Sequence, residues 1–196
     1  MEANEWIAAV MILNIDRAGA SAISDDIPQA AYTPTAEVGF SIEASTGLHL
    51  VAQSARYVVE VQRRGGIMPR ALLGGEFIVS TGSAATVNIL VGNPWDETGE
   101  HAIKSELNRL RGFVPGLPED FVEGVRGGLT QNEWPLPPGV LIVDRAGYDV
   151  MESSSPIFME AAMVLRACIS AALSGRAIER DAEAAMLKFA SMIQKY

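Results

Sequence analysis

Between Gly116 and Leu173 a proline-opened helix, an apolar strand, a tight turn and a serine-capped helix follow one another almost without linker. So dense a succession leaves few ways to fold. Pro118 suits a first helical position, where its missing N–H costs nothing, and Glu119 and Asp120 suit the electropositive first turn. Phe121, Val122, Val125 and Leu129 mark one face. Gly124, Gly127 and Gly128 each weaken such a helix by roughly 1 kcal/mol relative to alanine. Their expected purpose is to let the helix lie close on a sheet. Pro135 to Pro138 end it, and Val140–Val143 is a continuous apolar run, typical of a strand covered on at least one face. Ala146-Gly147 reads as a turn and Ser155-Pro156 as an N-cap with proline at N1. The helix Pro156–Leu173 is expected to bury Phe158, Ala161, Leu165, Cys168, Ile169 and Ala172, with Gly175 as its stop.

Upstream the pattern is β-rich. Trp6–Ile15 reads as a buried strand or short helix, and Ala18 to Thr35, with Asp25-Asp26, Pro28 and Pro34, as loop. Val38, Phe40 and Ile42 alternate with polar or small residues as in a half-buried strand. Thr46-Gly47 reads as a turn. Leu48–Arg63 makes one long strand or two, broken near Gln53–Ala55. Gly65-Gly66 and Met68-Pro69 form a connection. Glu76–Ser80 and Thr86–Val91 flank Thr81-Gly82-Ser83 as in a hairpin, and Ile103, Leu107 and Leu110 have the spacing of a short helix over His101–Arg111. A last helix, about Arg180–Lys195, carries Ala182, Met186, Phe189 and Ile193 on one stripe. Strands followed by helix, strand and helix make an α+β two-layer pattern.

Charge and cysteine content restrict the partners. With 15 basic and 24 acidic residues the net charge is −9, and Arg63-Arg64 is the one adjacent basic pair in the chain. Phosphate backbones are held by clustered Lys and Arg, so nucleic acid is disfavoured. The single cysteine, Cys168, excludes an internal disulfide framework; among apolar helical neighbours it reads as a buried, inert thiol. The Trp6–Ile15 run is preceded by acidic Met1-Glu2-Ala3-Asn4-Glu5, where a secretory signal needs positive charge, and is too short to span a bilayer. The expected location is the cytoplasm, away from any membrane.

No catalytic constellation emerges. His49 lies opposite the apolar Leu48 and Leu50 and reads as a surface strand residue rather than a base. His101, near Asp96, Glu97 and Glu100, has the residue types of a cation site, but an acidic helix start explains the same pattern. Glu152-Ser153-Ser154-Ser155 offers serines without the base and orienting group that a nucleophile needs. Capping accounts for Ser155. Asp144-Arg145 reads as a structural charged pair. The Gly65-Gly66, Gly74-Gly75 and Gly127-Gly128 pairs match no phosphate-binding spacing, and no Gly-x-x-x-x-Gly-Lys-Ser/Thr loop occurs. No cofactor or metal is expected.

The order of elements resembles domain IV of the elongation factor G family of translational GTPases. There a helix of the form Pro-x-Glu-Tyr-Ile-x-Ala-Val-x-x-Gly-Ile precedes a strand and a serine-capped helix. Here Pro118-Glu119-Asp120-Phe121-Val122-Glu123-Gly124-Val125-Arg126-Gly127-Gly128-Leu129 occupies that place. The family's Tyr-His-x-Val-Asp-Ser-Ser is similar to Tyr148-Asp149-Val150-Met151-Glu152-Ser153-Ser154, with Phe158 and Ala161-Ala162 behind it. The similarity covers about Glu76 to Leu173. It implies a ribosomal protein S5 domain 2-like fold, a mixed sheet with two main helices on one face and a left-handed crossover. To this are added N-terminal strands (1–45, sharing the same core) and a C-terminal helix (176–196) around a domain spanning 46–175. It also implies a binding surface at Tyr148, Asp149, Glu152, Ser153 and Ser154.

Two departures bear on function. The loop expected to enter the ribosome is reduced to Thr81-Gly82-Ser83-Ala84, and the family's tip histidine falls on Asp149, whose charge suits RNA phosphates poorly. The expectation is therefore a stand-alone, non-catalytic module without a GTPase domain. It would bind a protein partner or the ribosome, or a second copy of itself through the C-terminal helix. The alternative is a small enzyme on the same fold.

Overall fold

The computed structural model describes residues 10–16, 18–64, 68–92, 103–107 and 111–194. Eight strands form one mixed sheet: β1 (Met11–Ile15), β2 (Gly19–Ser24), β3 (Ala36–Ile42), β4 (Ser54–Gln62), β5 (Arg70–Val79), β6 (Ala85–Val91), β7 (Val114–Pro115) and β8 (Gly139–Tyr148). Three α-helices accompany them among the described residues: α1 (Val122–Leu129), α2 (Ser155–Ser174) and α3 (Ile178–Ile193). The spatial order is β1-β2-β4-β5-β8-β6-β3, with β7 paired on the end of β8. All pairs are antiparallel except β6 with β8. The α+β class is the one expected from the sequence.

Several local expectations are corrected. Ala18 to Thr35 is not all loop, because Gly19–Ser24 is β2, seated between β1 and β4. Its small residues hide the strand: Ala22 is buried, and buried Ser21 donates its hydroxyl to Glu60 O at 2.9 Å. The proposed hairpin is not one either. β5 and β6 do not pair with each other, since β8 lies between them. Two strand spacings, about 10 Å, are within reach of the five residues 80–84 that connect them. β5 itself begins at Arg70 rather than near Glu76; a bulge at Gly74/Gly75 interrupts its pattern. Over 48–53 the chain is not a strand, so exposed His49 sits in a loop. In the helix expected over His101–Arg111, the described residues 103–107 instead form a bridge and a turn. Ile103 and Phe113 exchange backbone hydrogen bonds of 2.7 and 2.8 Å.

The turn expected at Ala146-Gly147 lies inside β8. Gly147 serves close approach, since a Cβ there would stand 2.8 Å from Phe113 Cβ and 2.9 Å from Ile103 Cδ1. The glycines of α1 face another helix rather than the sheet. A Cβ on Gly124 would lie 2.1 Å from Ser155 O, and one on Gly128 2.3 Å from Met159 O. The chain enters α1 through a 3-10 turn, Glu119–Phe121, with Pro118 at its N-cap. The cap of α2 is Ser154, one residue earlier than expected, and its hydroxyl makes no capping bond.

One face of the sheet and the three helices share the main core, in which α2 is buried on nearly every side. Ser155–Ser174 is long and apolar enough to cross a membrane, but 83% of that stretch is buried within this fold, which accounts for its hydropathy. Gly175, at φ +67°, ends α2 in the left-handed conformation. On the other face a small second core forms from Ala30, Val58, Leu72, Ile103 and Phe113. The segments around 27–31, 103–107 and 111–113 therefore cover part of the face that a two-layer sandwich leaves open.

Candidate functional site

The residues singled out by the resemblance gather at the corner between β8 and α2. Tyr148 ends β8 at 8% exposure, its ring 6.4 Å from that of Phe121, which stacks on Phe158 at 4.9 Å. Pleating sends the next side chain to the opposite face. There Asp149 is buried, its Oδ2 accepting from Arg70 Nη2 at 2.7 Å. Its Oδ1 accepts from the backbone N–H groups of Met151 and Glu152 at 2.8 and 3.1 Å, an Asx-type turn that reverses the chain. Ser153 Oγ accepts from Asp149 N at 2.9 Å and donates to Arg70 O at 2.6 Å. The turn is thus fastened to the first residue of β5 from several directions.

Arg70 is the centre of this corner, and no sequence feature pointed to it. Its side chain is fully buried, its guanidinium lies 4.4 Å from the Phe113 ring centroid, and Nη2 also donates to Gly112 O at 2.9 Å. Nε stands 3.1 Å from Glu152 Oε2, an ionic contact without hydrogen-bond alignment, and Nη1 has no hydrogen-bond partner among the described residues. Burial pushes the Asp149 carboxyl upward, but the Arg70 hydrogen bond, the turn N–H groups and the Arg70 charge outweigh it. The carboxyl is held below its ordinary range. On the neighbouring strand buried Glu60 accepts from Ser105 Oγ at 2.6 Å and Glu106 N at 2.8 Å. Burial raises its carboxyl despite those bonds and the nearby Arg70 charge.

Of the five predicted residues, the structure brings Tyr148, Asp149, Glu152 and Ser153 into this one corner and places Ser154 at the N-cap of α2. Tyr148, Asp149 and Ser153 direct their polar or aromatic groups inward. Between Asp149 and Ser153 the side chains most presented to solvent are Val150, 65% exposed, and Met151, 74%. Met68, before β5, is also exposed. The signal that finds Val150 and Met151 is the Asp at the start and the Ser four residues on, an Asx-turn frame around two apolar residues.

Elsewhere the expected candidates part company. Asp144 and Arg145 bond each other and join a surface network: Asp144 Oδ1 accepts from Arg56 Nη1, and Arg145 Nε donates to Asp26 Oδ1 at 3.0 Å. Cys168 is fully buried, and burial pushes its thiol far up, as expected of an inert cysteine. His101 and residues 96, 97 and 100 lie outside the described residues, as do Gly65-Gly66 and 1–9.

Two more buried ionisable side chains lie in α2. Glu160 in α2 is pushed up to about 8 by burial, opposed by Arg63, whose Nη1 is 3.5 Å from Oε2; Oε1 has no hydrogen-bond partner among the described residues. Arg166, also in α2, is lowered to about 10 by burial. Its Nε donates to Trp134 O at 2.7 Å and its Nη1 to Leu129 O, the C-terminal carbonyl of α1.

Comparison with family models, with curated proteins and with solved structures returned no match. The function rests on the geometry and on the sequence resemblance.

Proposed function

We propose that this chain is a non-catalytic binding module of the cytoplasm, related to elongation factor G domain IV and built on a ribosomal protein S5 domain 2-like fold. The observation that carries the reading is the exposed Val150-Met151 pair, set on a turn whose backbone and flanking side chains are fixed from within. Exposed apolar side chains gain most on binding when their seat is already rigid, because less conformational freedom is lost. The run β4-β5-β6-β7-α1-β8-α2, with β6 and β8 parallel and α1 in the connection between them, supports the fold assignment. The partner is a protein or the ribosome.

The test pairs ribosome sedimentation at low and moderate salt with site-specific photo-crosslinking from position 151, using exposed Val51 as control. Salt-resistant sedimentation that the double variant Val150→Asp/Met151→Asp loses is expected of a ribosomal partner. Absence of binding at both salts removes the ribosome and leaves a protein. Crosslinks no more frequent from 151 than from 51 would sink the module reading itself.

A small enzyme is the second reading, and Glu160 favours it. A carboxyl at about 8 holds a proton in the range useful to a general acid. It is fully buried, however, and Arg63 must swing aside before any substrate reaches it.

A further inference from the structure

A groove runs along the helical layer between the first turn of α2 and the last turn of α3. Ser155, Pro156 and Met159 form one wall and Phe189, Met192 and Ile193 the other, around a space of about 270 Å³. It continues into a second depression of about 260 Å³ that shares Pro156, Phe189 and Ile193 and ends at Arg63 and Arg64. Each space falls below the ~300–1,000 Å³ of small-molecule pockets, and a shallow apolar trough of this kind matches the anchoring side chains of a peptide. Ile193 is 43% exposed in its wall.

The mouth of the groove is positive on a chain of net charge −9. Among the described residues no acidic side chain lines either depression. Arg64 is 60% exposed, and its one described ion pair, 3.4 Å to fully exposed Asp16, is of a kind that contributes little. Arg63 is held in place, paired with Glu160 and lying 5.2 Å from the Phe189 ring centroid. The N-terminus of the twenty-residue α2 opens beside them, and its N-cap side chain makes no capping bond, so the helix adds its own positive end. RNA would satisfy the arginines but leave the apolar walls wet, since Phe189 is only 2% exposed and offers no face for base stacking.

We infer that this groove receives an acidic amphipathic segment of a partner protein. Its apolar side chains lie between α2 and α3 and its carboxylates face Arg63, Arg64 and the start of α2. The inference rests on the binding-module reading, but concerns a surface distinct from Val150 and Met151.

The probe is a synthetic amphipathic helix with leucines at i, i+3 and i+7 and glutamates between, compared with its lysine counterpart. Binding to the full chain is followed by NMR shifts. The glutamate peptide is expected to bind at least about tenfold more tightly than the lysine peptide, with shifts at Met159, Phe189 and Met192. Arg64→Glu is expected to reverse that order, and Ile193→Asp to abolish binding of both. Equal affinity for the two peptides, shifts confined to other surfaces, or no binding overturns the inference. So does a concentration-dependent dimer lost in Ile193→Asp, which would make a second copy the occupant. The peptide readout is independent of sedimentation and crosslinking, so failure here leaves the tip reading standing, and the reverse.

Discussion

Among the described residues two arginines are buried almost completely, Arg70 at the corner of β5 and β8 and Arg166 in the middle of α2. Their surroundings differ in kind. Arg70 faces two carboxylates, Asp149 and Glu152, and an aromatic ring. For Arg166 the described hydrogen bonds go to backbone carbonyls, where it closes the end of α1 and ties the 130–138 loop to α2. Nearby Ser170 reinforces that loop by donating to Pro135 O at 2.6 Å. A charge pair of the first sort fixes a surface turn, and its loss strands a second charge. A cation of the second sort satisfies the dipoles of a helix end, and its loss leaves only neutral acceptors behind.

The contrast predicts unequal penalties. Arg70→Met leaves buried Asp149 with only the exposed Arg111, whose Nη1 is 3.7 Å from its Oδ1, and is expected to cost about 3–5 kcal/mol in urea unfolding. Adding Asp149→Asn is expected to recover part of that loss. Arg166→Met strands carbonyls rather than a charge and is expected to cost about 1–3 kcal/mol. Equal penalties would break the distinction.

Glu160 sharpens it, as a buried titratable group whose pairing is incomplete. Its folded pKa of about 8 lies above the ordinary carboxylate value, so the stability it contributes is full below that ordinary value and is lost as pH rises through about 8. Glu160→Gln is therefore expected to be nearly neutral at pH 4 and increasingly stabilising as the pH is raised to 9. A flat difference across that range would show the carboxyl to be charged throughout. The smallest effect belongs to the tip. Val150→Ser with Met151→Ser is expected to stay within about 0.5 kcal/mol of the parent in the same unfolding assay, because exposed side chains off the core carry little stability.

The elements most legible in the sequence were those whose signal is local. α2 is long and apolar, Gly175 stops it at positive φ, and β3 alternates cleanly. β2 was missed because its alanines and serines fill a narrow space between two strands and resemble loop residues. The placement of β8 between β5 and β6 depends on pairings distant in the chain, which no window of local residues contains. The candidate corner was half legible. Asp149 and Ser153 were found through the resemblance, but as an outward surface rather than an inward frame. Arg70 stayed hidden because Met68-Pro69 before it reads as a turn and Gly74-Gly75 behind it breaks the strand pattern.

The central position of β8 also governs the order in which the molecule can assemble. Before residues 139–148 are available, the other strands can form only two separate sheets, β1-β2-β4-β5 and β3-β6. β5 and β6 then expose the very edges that β8 later closes. Unpaired edges of this kind invite association with other chains. During synthesis, completion of the fold waits on a strand from the C-terminal half, and the interval before it emerges is the period of greatest exposure to aggregation.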